Sequence, residues 1–146
     1  MKTSRRGIEL IKRFEGLRLL AYPDAGGIWT IGYGHTGGTK SGDVITETEA
    51  DRLLSIDLEE AETEINRLNL PLTQNQFDAL VSFVFNVGIG NFRKSMLLKK
   101  VSANANDPSI RTEFGKWNKV RVNGILKPLR GLTERRAAEA DLYFRK

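Results

Sequence analysis

From Thr46 to Leu68 apolar side chains return every three or four residues, at Ala50, Leu53, Leu54, Leu58, Ala61, Ile65 and Leu68. That period places them on one face of an α-helix, so the pattern predicts a long helix over about residues 47–68. The run "TETE" from Thr46 to Glu49 has capping-box spacing and marks its start. Asp57 interrupts the apolar stripe, and a carboxylate on a buried face needs a partner.

The residues before this helix follow another rule. "GIELIKRFEG" carries Ile8, Ile11 and Phe14 as a narrow helical stripe, predicting a first helix over residues 4–15 with Gly16 as its stop. Glu15 then lies in the last turn, where the helix dipole disfavours an anion. Residues 17–45 combine turn chemistry ("YPDAGG", "GGTKSG") with the β-branched and aromatic run "IWTIGYGHT". They read as a small twisted antiparallel sheet of two or three strands, with Asp24 on a turn and Thr30 on a strand.

Downstream, "TQNQ" at Thr73 opens a helix with Phe77, Leu80, Val81 and Val84 inward, and "NVGIGN" ends it. Helices are expected over residues 92–103 and 108–117, the second with Asp107 as cap and Pro108 as first residue. "KVRVNGILKP" holds an Asn-Gly turn between β-type residues, the signature of a short hairpin. A last helix is expected to begin near Thr133. The sum is an α+β chain, mainly helical, with a small sheet near its N-terminus.

The length of 146 residues fits one domain, and 40% hydrophobic with 28% charged residues fits a globular one. With no cysteine there is no disulfide framework and no thiolate chemistry; a single histidine excludes a His-rich metal site. No cofactor is implied. The net charge of +5 is uneven: residues 111–146 hold ten Lys/Arg against four Asp/Glu. A basic C-terminal third suits an anionic partner, or is simply a solvated face. Its cations are interleaved with acids and apolar residues, which fits nucleic acid poorly.

Chemistry concentrates between Glu15 and Thr36. Cleaving an acetal needs one carboxyl that delivers a proton and a second, ionised one that activates water or stabilises a cationic transition state. Glu15 at a helix end and Asp24 on a polar loop offer two different environments, and the Thr30 hydroxyl can hold a water. Taken alone, two acids and a threonine are as well explained by an ordinary surface. His35 is either a base or, more simply, the partner that Asp57 needs.

Glu15, eight residues, Asp24, five residues, Thr30 is the spacing that resembles the catalytic pattern of the phage-type lysozymes, the endolysins of glycoside hydrolase family 24. "GIELIKRFEG", "TIGYGHT", "LTQNQFDALVSFVFNVGIGNF" and "GLTERRAAE" extend the resemblance over nearly the whole chain. It implies a two-lobe lysozyme-like fold, with lobes of about 13–60 and 61–146, the helix over residues 4–15 packing on the second, and a sugar-binding cleft between them. By position it makes Glu15 the general acid, with Asp24 and Thr30 placing the water. It implies inversion at the anomeric carbon, which requires carboxyls about 6.5–9.5 Å apart. Thr36, Phe85 and Asn86 match glycan-contacting positions. His35 and Asp57 match a structural ion pair, and an arginine of "TERR", Arg135 in preference to Arg136, matches a residue that contacts the acid. The implied substrate is bacterial peptidoglycan. The implied setting is a monomer that waits in the host cytoplasm, without signal peptide or anchor, for a separate holin-like, membrane-permeabilising protein. Two alternatives stay open at this point. One is a lytic transglycosylase, which needs a single acid and no water; the other is a cationic wall- or membrane-binding protein without catalysis.

Overall fold

The computed structural model describes residues 1–146. In chain order its elements are α1 (Arg5–Glu15), β1 (Arg18–Pro23), β2 (Trp29–Gly32), α2 (Glu47–Asn66), α3 (Gln74–Val87), α4 (Ile89–Arg93), α5 (Met96–Ala103), α6 (Ile110–Gly115), β3 (Lys119–Val122), β4 (Ile125–Pro128) and α7 (Arg130–Tyr143). The mainly helical α+β reading holds, with two antiparallel two-stranded sheets, β1–β2 and β3–β4. No helix is long and apolar enough to cross a membrane. The chain divides into two compact units, one of residues 11–60 and one of residues 1–10 with 61–146.

In the unit of residues 11–60, β1 and β2 pair Arg18 with Gly32 and Tyr22 with Thr30, with an irregularity between them. Leu20 forms a single bridge to Val44 on the other edge, so the possible third strand is reduced to one contact. Ile11 of α1, Ile31 of β2 and Ala50, Leu54 and Leu58 of α2 are buried, while Ile8, Phe14 and Leu53 of the expected helical stripes are half-buried. Thr46 caps α2 by accepting from the Glu49 amide at 3.1 Å. The capping box is only half made, because Glu49 turns its carboxylate to Arg52.

The larger unit packs around Phe83. Its ring meets Phe92, Phe114 and Trp117 edge-on, with centroids 6.3, 5.6 and 5.9 Å away. Such edge-to-face contacts add to simple burial. Thr73 and Gln76 complete the expected capping box of α3. The N-terminus of α1 is held by Asp78 of α3, which accepts from the Ser4 amide at 2.9 Å and from the Ser4 hydroxyl. Gly7 makes this approach possible: a Cβ there would lie 2.7 Å from the Asp78 carboxyl carbon.

Three local expectations change. The helix expected over residues 92–103 is two helices, α4 and α5. Ser95 is buried between them, accepts from the Leu98 amide at 3.1 Å and donates to the Phe92 carbonyl at 2.7 Å. A serine that caps a new helix ends the old one. α6 covers only Ile110–Gly115. Asp107 secures the turn before it, accepting from the Ser109 amide and hydroxyl, both at 2.8 Å. α7 starts at Arg130, a turn before Thr133, whose hydroxyl bonds back to the Leu129 carbonyl at 3.2 Å. The Asn-Gly hairpin is present, with Asn123 and Gly124 at φ +51° and +79°. Those positive angles are what a two-residue hairpin turn demands.

Candidate active site

Glu15 is the last residue of α1, and Gly16, at φ +74°, closes the helix by donating its amide to the Lys12 carbonyl at 3.0 Å. Such a left-handed stop releases the chain from the helix axis in one residue. The strand β2 then runs into a tight loop in which Ile31 and His35 exchange both backbone hydrogen bonds at 2.9 Å. Gly32 and Gly34, at φ +66° and +87°, make the loop possible. Gly34 faces the acid: a Cβ at that position would stand 3.4 Å from Glu15 Oε1. A glycine there keeps the carboxyl approachable and keeps the loop unstrained.

Asp24 sits in the β1–β2 loop. Its Oδ1 accepts from the amides of Gly26 at 2.8 Å and Ile28 at 2.9 Å. Both bonds fall on one oxygen, which leaves the acceptor capacity of Oδ2 unused by these two amides. Thr30 lies across from Tyr22 in the ladder and is buried. Its hydroxyl donates to the Ile28 carbonyl at 2.9 Å. Asp24 and Thr30 thus grip the two ends of one residue: the carboxylate takes the Ile28 N–H and the hydroxyl takes its C=O. With its hydrogen committed, the Thr30 oxygen has lone pairs left and acts as an acceptor.

His35 has both ring nitrogens engaged. Nδ1 lies 2.8 Å from Asp57 Oδ2 and Nε2 lies 2.8 Å from the Gly37 carbonyl. Neither nitrogen is open to a substrate, so the ring ties the β2 loop to α2. Thr36 is exposed, with its carbonyl accepting from Thr39 at 3.0 Å.

In the larger unit, Phe85 is half-buried and stands outside the Phe83 core, while Asn86 is exposed. Arg136 Nη2 donates to Asn86 Oδ1 at 2.8 Å and so fixes which end of the amide faces outward. Asn86 borders a hollow of about 910 Å³ whose other walls include Met96, Trp117, Val120, Leu126 and Leu129. Arg135 and Arg136 are both buried, flanking Glu139. Arg136 Nε is 2.7 Å from Glu139 Oε1, and Arg135 Nε and the Ser82 hydroxyl reach Oε2 at 3.3 and 2.5 Å. Burial pushes the Glu139 carboxyl up, against the pull of Arg136 and Arg135. The arginines stand out in the motif "TERR", but the motif does not point to this cluster. Their spacing to Glu139, three and four residues along α7, is the signal that could have revealed the acid. Nothing local could have revealed Ser82.

The sequence matches a family model described as Phage lysozyme over residues 12–139. It is 48% identical over 145 residues to the endolysin of Acyrthosiphon pisum secondary endosymbiont phage 1, covering 98% of each chain. Among solved structures, the fold is similar to the muramidase domain of SpmX from Asticaccaulis excentricus, with a TM-score of 0.93 and 43% identity over 99% of each chain. It is also similar to the endolysin from Escherichia coli O157:H7 phage FAHEc1, with a TM-score of 0.92 and 41% identity over 99% of this chain and 94% of that one.

Proposed function

This chain belongs to the phage lysozyme family, and on that premise we propose that Glu15 is its general acid and that Asp24 with Thr30 holds and activates the attacking water. It is a glycoside hydrolase of the lysozyme type, an endolysin whose substrate is bacterial peptidoglycan. The bond cleaved is the β-1,4 link from N-acetylmuramic acid to N-acetylglucosamine. Glu15 gives its proton to the bridging oxygen as the bond to the anomeric carbon breaks. The water donates one hydrogen to Thr30 Oγ1 and the other to Asp24 Oδ2, leaving an oxygen lone pair directed at that carbon. Asp24 takes a proton as attack proceeds, and the configuration inverts.

The observation that supports this division of labour is the shared hold of Asp24 and Thr30 on Ile28, which fixes two acceptors before any substrate arrives. A group already in position has no reorganisation to undergo during reaction. Thr36, Phe85 and Asn86 are proposed as glycan contacts, and His35, Asp57 and Arg135 as supports. In the same proposal the enzyme works as a monomer. It moves from the host cytoplasm to the wall once a separate membrane-permeabilising protein has opened the way.

Replacing Glu15 by Gln keeps the side chain's shape and removes the proton. Clearing of purified cell walls is expected to slow by about 10²–10⁴-fold. A variant that clears walls at the wild-type rate contradicts the assignment.

A further inference from the structure

The hairpin β3–β4 has no part in the chemistry above, yet it joins exposed aliphatics to uncompensated charge. Every residue from Arg121 to Arg130 is exposed. Four of these ten are large aliphatics: Val122 is 42% exposed, Ile125 61%, Leu126 55% and Leu129 47%. An antiparallel hairpin ordinarily covers one apolar face against the core; here the tip covers neither. The cross-strand pair Val122–Ile125 sits beside the turn, at the far end of the hairpin.

The charge is as one-sided as the apolar surface. Between Lys119 and Thr133 there are four cations and no carboxylate. Arg130 is compensated by Glu134 at 3.0 Å. Lys119, Arg121 and Lys127 are not: Arg121 bonds the Gly124 carbonyl and Lys119 the Asn118 amide, both neutral. Elsewhere in the basic C-terminal third, apart from the terminal Arg145 and Lys146, the cations are accounted for. Arg135 and Arg136 are buried on Glu139, Arg111 pairs with Asp141, and Lys116 pairs with Glu113. The unbalanced positive charge near the hairpin is therefore carried by the same strands that expose the aliphatics.

We propose that the β3–β4 hairpin is a docking tip for an anionic phospholipid bilayer, with Val122, Ile125 and Leu126 entering the acyl boundary and Lys119, Arg121 and Lys127 at the headgroup phosphates. The combination selects the occupant. A second copy would bring like charges together. A soluble polyanion satisfies the cations and leaves the aliphatics in water. Single-stranded nucleic acid needs aromatic rings to stack on, and the strands carry none. A bilayer with anionic headgroups satisfies both halves, the pattern of interfacial anchors. The apolar surface also continues behind the hairpin into the hollow walled by Met96, Trp117 and Leu129. The substitutions that test it change none of the residues proposed for catalysis or glycan contact.

The test is sedimentation of the full chain with vesicles of phosphatidylglycerol and phosphatidylcholine, and with vesicles of phosphatidylcholine alone. Binding is expected only to the anionic vesicles, weakening as salt rises. The triple variant Lys119→Gln, Arg121→Gln, Lys127→Gln is expected to lose about 100-fold in partitioning, at about five-fold per cation. The pair Ile125→Ser, Leu126→Ser is expected to lose at least about ten-fold. Equal binding to neutral vesicles overturns the proposal, as does unchanged binding by either variant. So does a chain that binds soluble polyglycerol phosphate but sediments with no vesicle. A second arm keeps the hairpin native in charge: an Ile125→Trp chain is expected to show emission shifted to the blue and quenched by brominated anionic lipid. Absence of that quenching refutes insertion.

Discussion

Asp24 Oδ1 and Thr30 Oγ1 are set by contacts that span at most four residues, Gly26 and Ile28 to one and Ile28 to the other. That locality keeps the candidates within one short stretch, but their residue types and spacing alone are equally an ordinary surface; the resemblance to the phage-type lysozymes is what singles them out. The residues that hold the rest in place were not readable. Asp78 reaches Ser4 across 74 positions and Ser82 reaches Glu139 across 57, and no periodicity encodes such pairs. Asp78 is fully buried inside a run that reads as apolar helix face. Gly7 passes for a poor helix residue until Asp78 is seen against it. Gly7→Ala is expected to lower stability by about 1–3 kcal/mol, since the new methyl meets the carboxyl of Asp78 and Thr3 Cγ2, both well inside contact distance. Chemical denaturation measures it, and an unchanged midpoint would show that α1 shifts freely on α3. Glu139→Ala removes the one anion between two buried guanidiniums. It is expected to cost about 3–5 kcal/mol, the penalty for an uncompensated buried charge, and calorimetry reads it directly.

Among the elements, those with a clear period or a strong turn signal came through: α1, the stripe of α2, the capped α3 and the Asn-Gly hairpin. The errors cluster where a polar side chain competes with the backbone. Ser95 divides α4 from α5, and Asp107 holds a turn that delays α6. Sequence windows see a serine or an aspartate but not which of its neighbours it will bond. Contacts between elements carry a pH signature. Glu64 near the end of α2 receives Arg93 of α4 through two hydrogen bonds of 2.6 and 2.8 Å. The hydrogen bond from Arg93 holds the Glu64 carboxyl below its usual range. Because the folded value is depressed, the stabilisation is complete above the unfolded carboxylate's titration and is lost as pH falls through the folded value. Glu64→Gln is therefore expected to melt a few degrees below wild type at neutral pH. The gap should narrow as the solution is acidified through the carboxylate range. A constant gap across that range would show that the pair's charge contributes nothing.

At the scale of the molecule, the net charge of +5 conceals an arrangement that composition does not reveal. Cations buried on Glu139 are structural, and those on the β3–β4 hairpin face solvent. Membership in the phage lysozyme family establishes what class of bond is cut, while the residues of the unit spanning 11–60 supply the means proposed for cutting it. The most direct measurement is mass spectrometry of purified peptidoglycan digested in ¹⁸O-labelled water. One heavy oxygen on each new reducing muramic end is the result this account predicts, because in the proposed mechanism Asp24 and Thr30 deliver solvent to the anomeric carbon. An anhydromuramic product, lighter by one water and free of label, would contradict it.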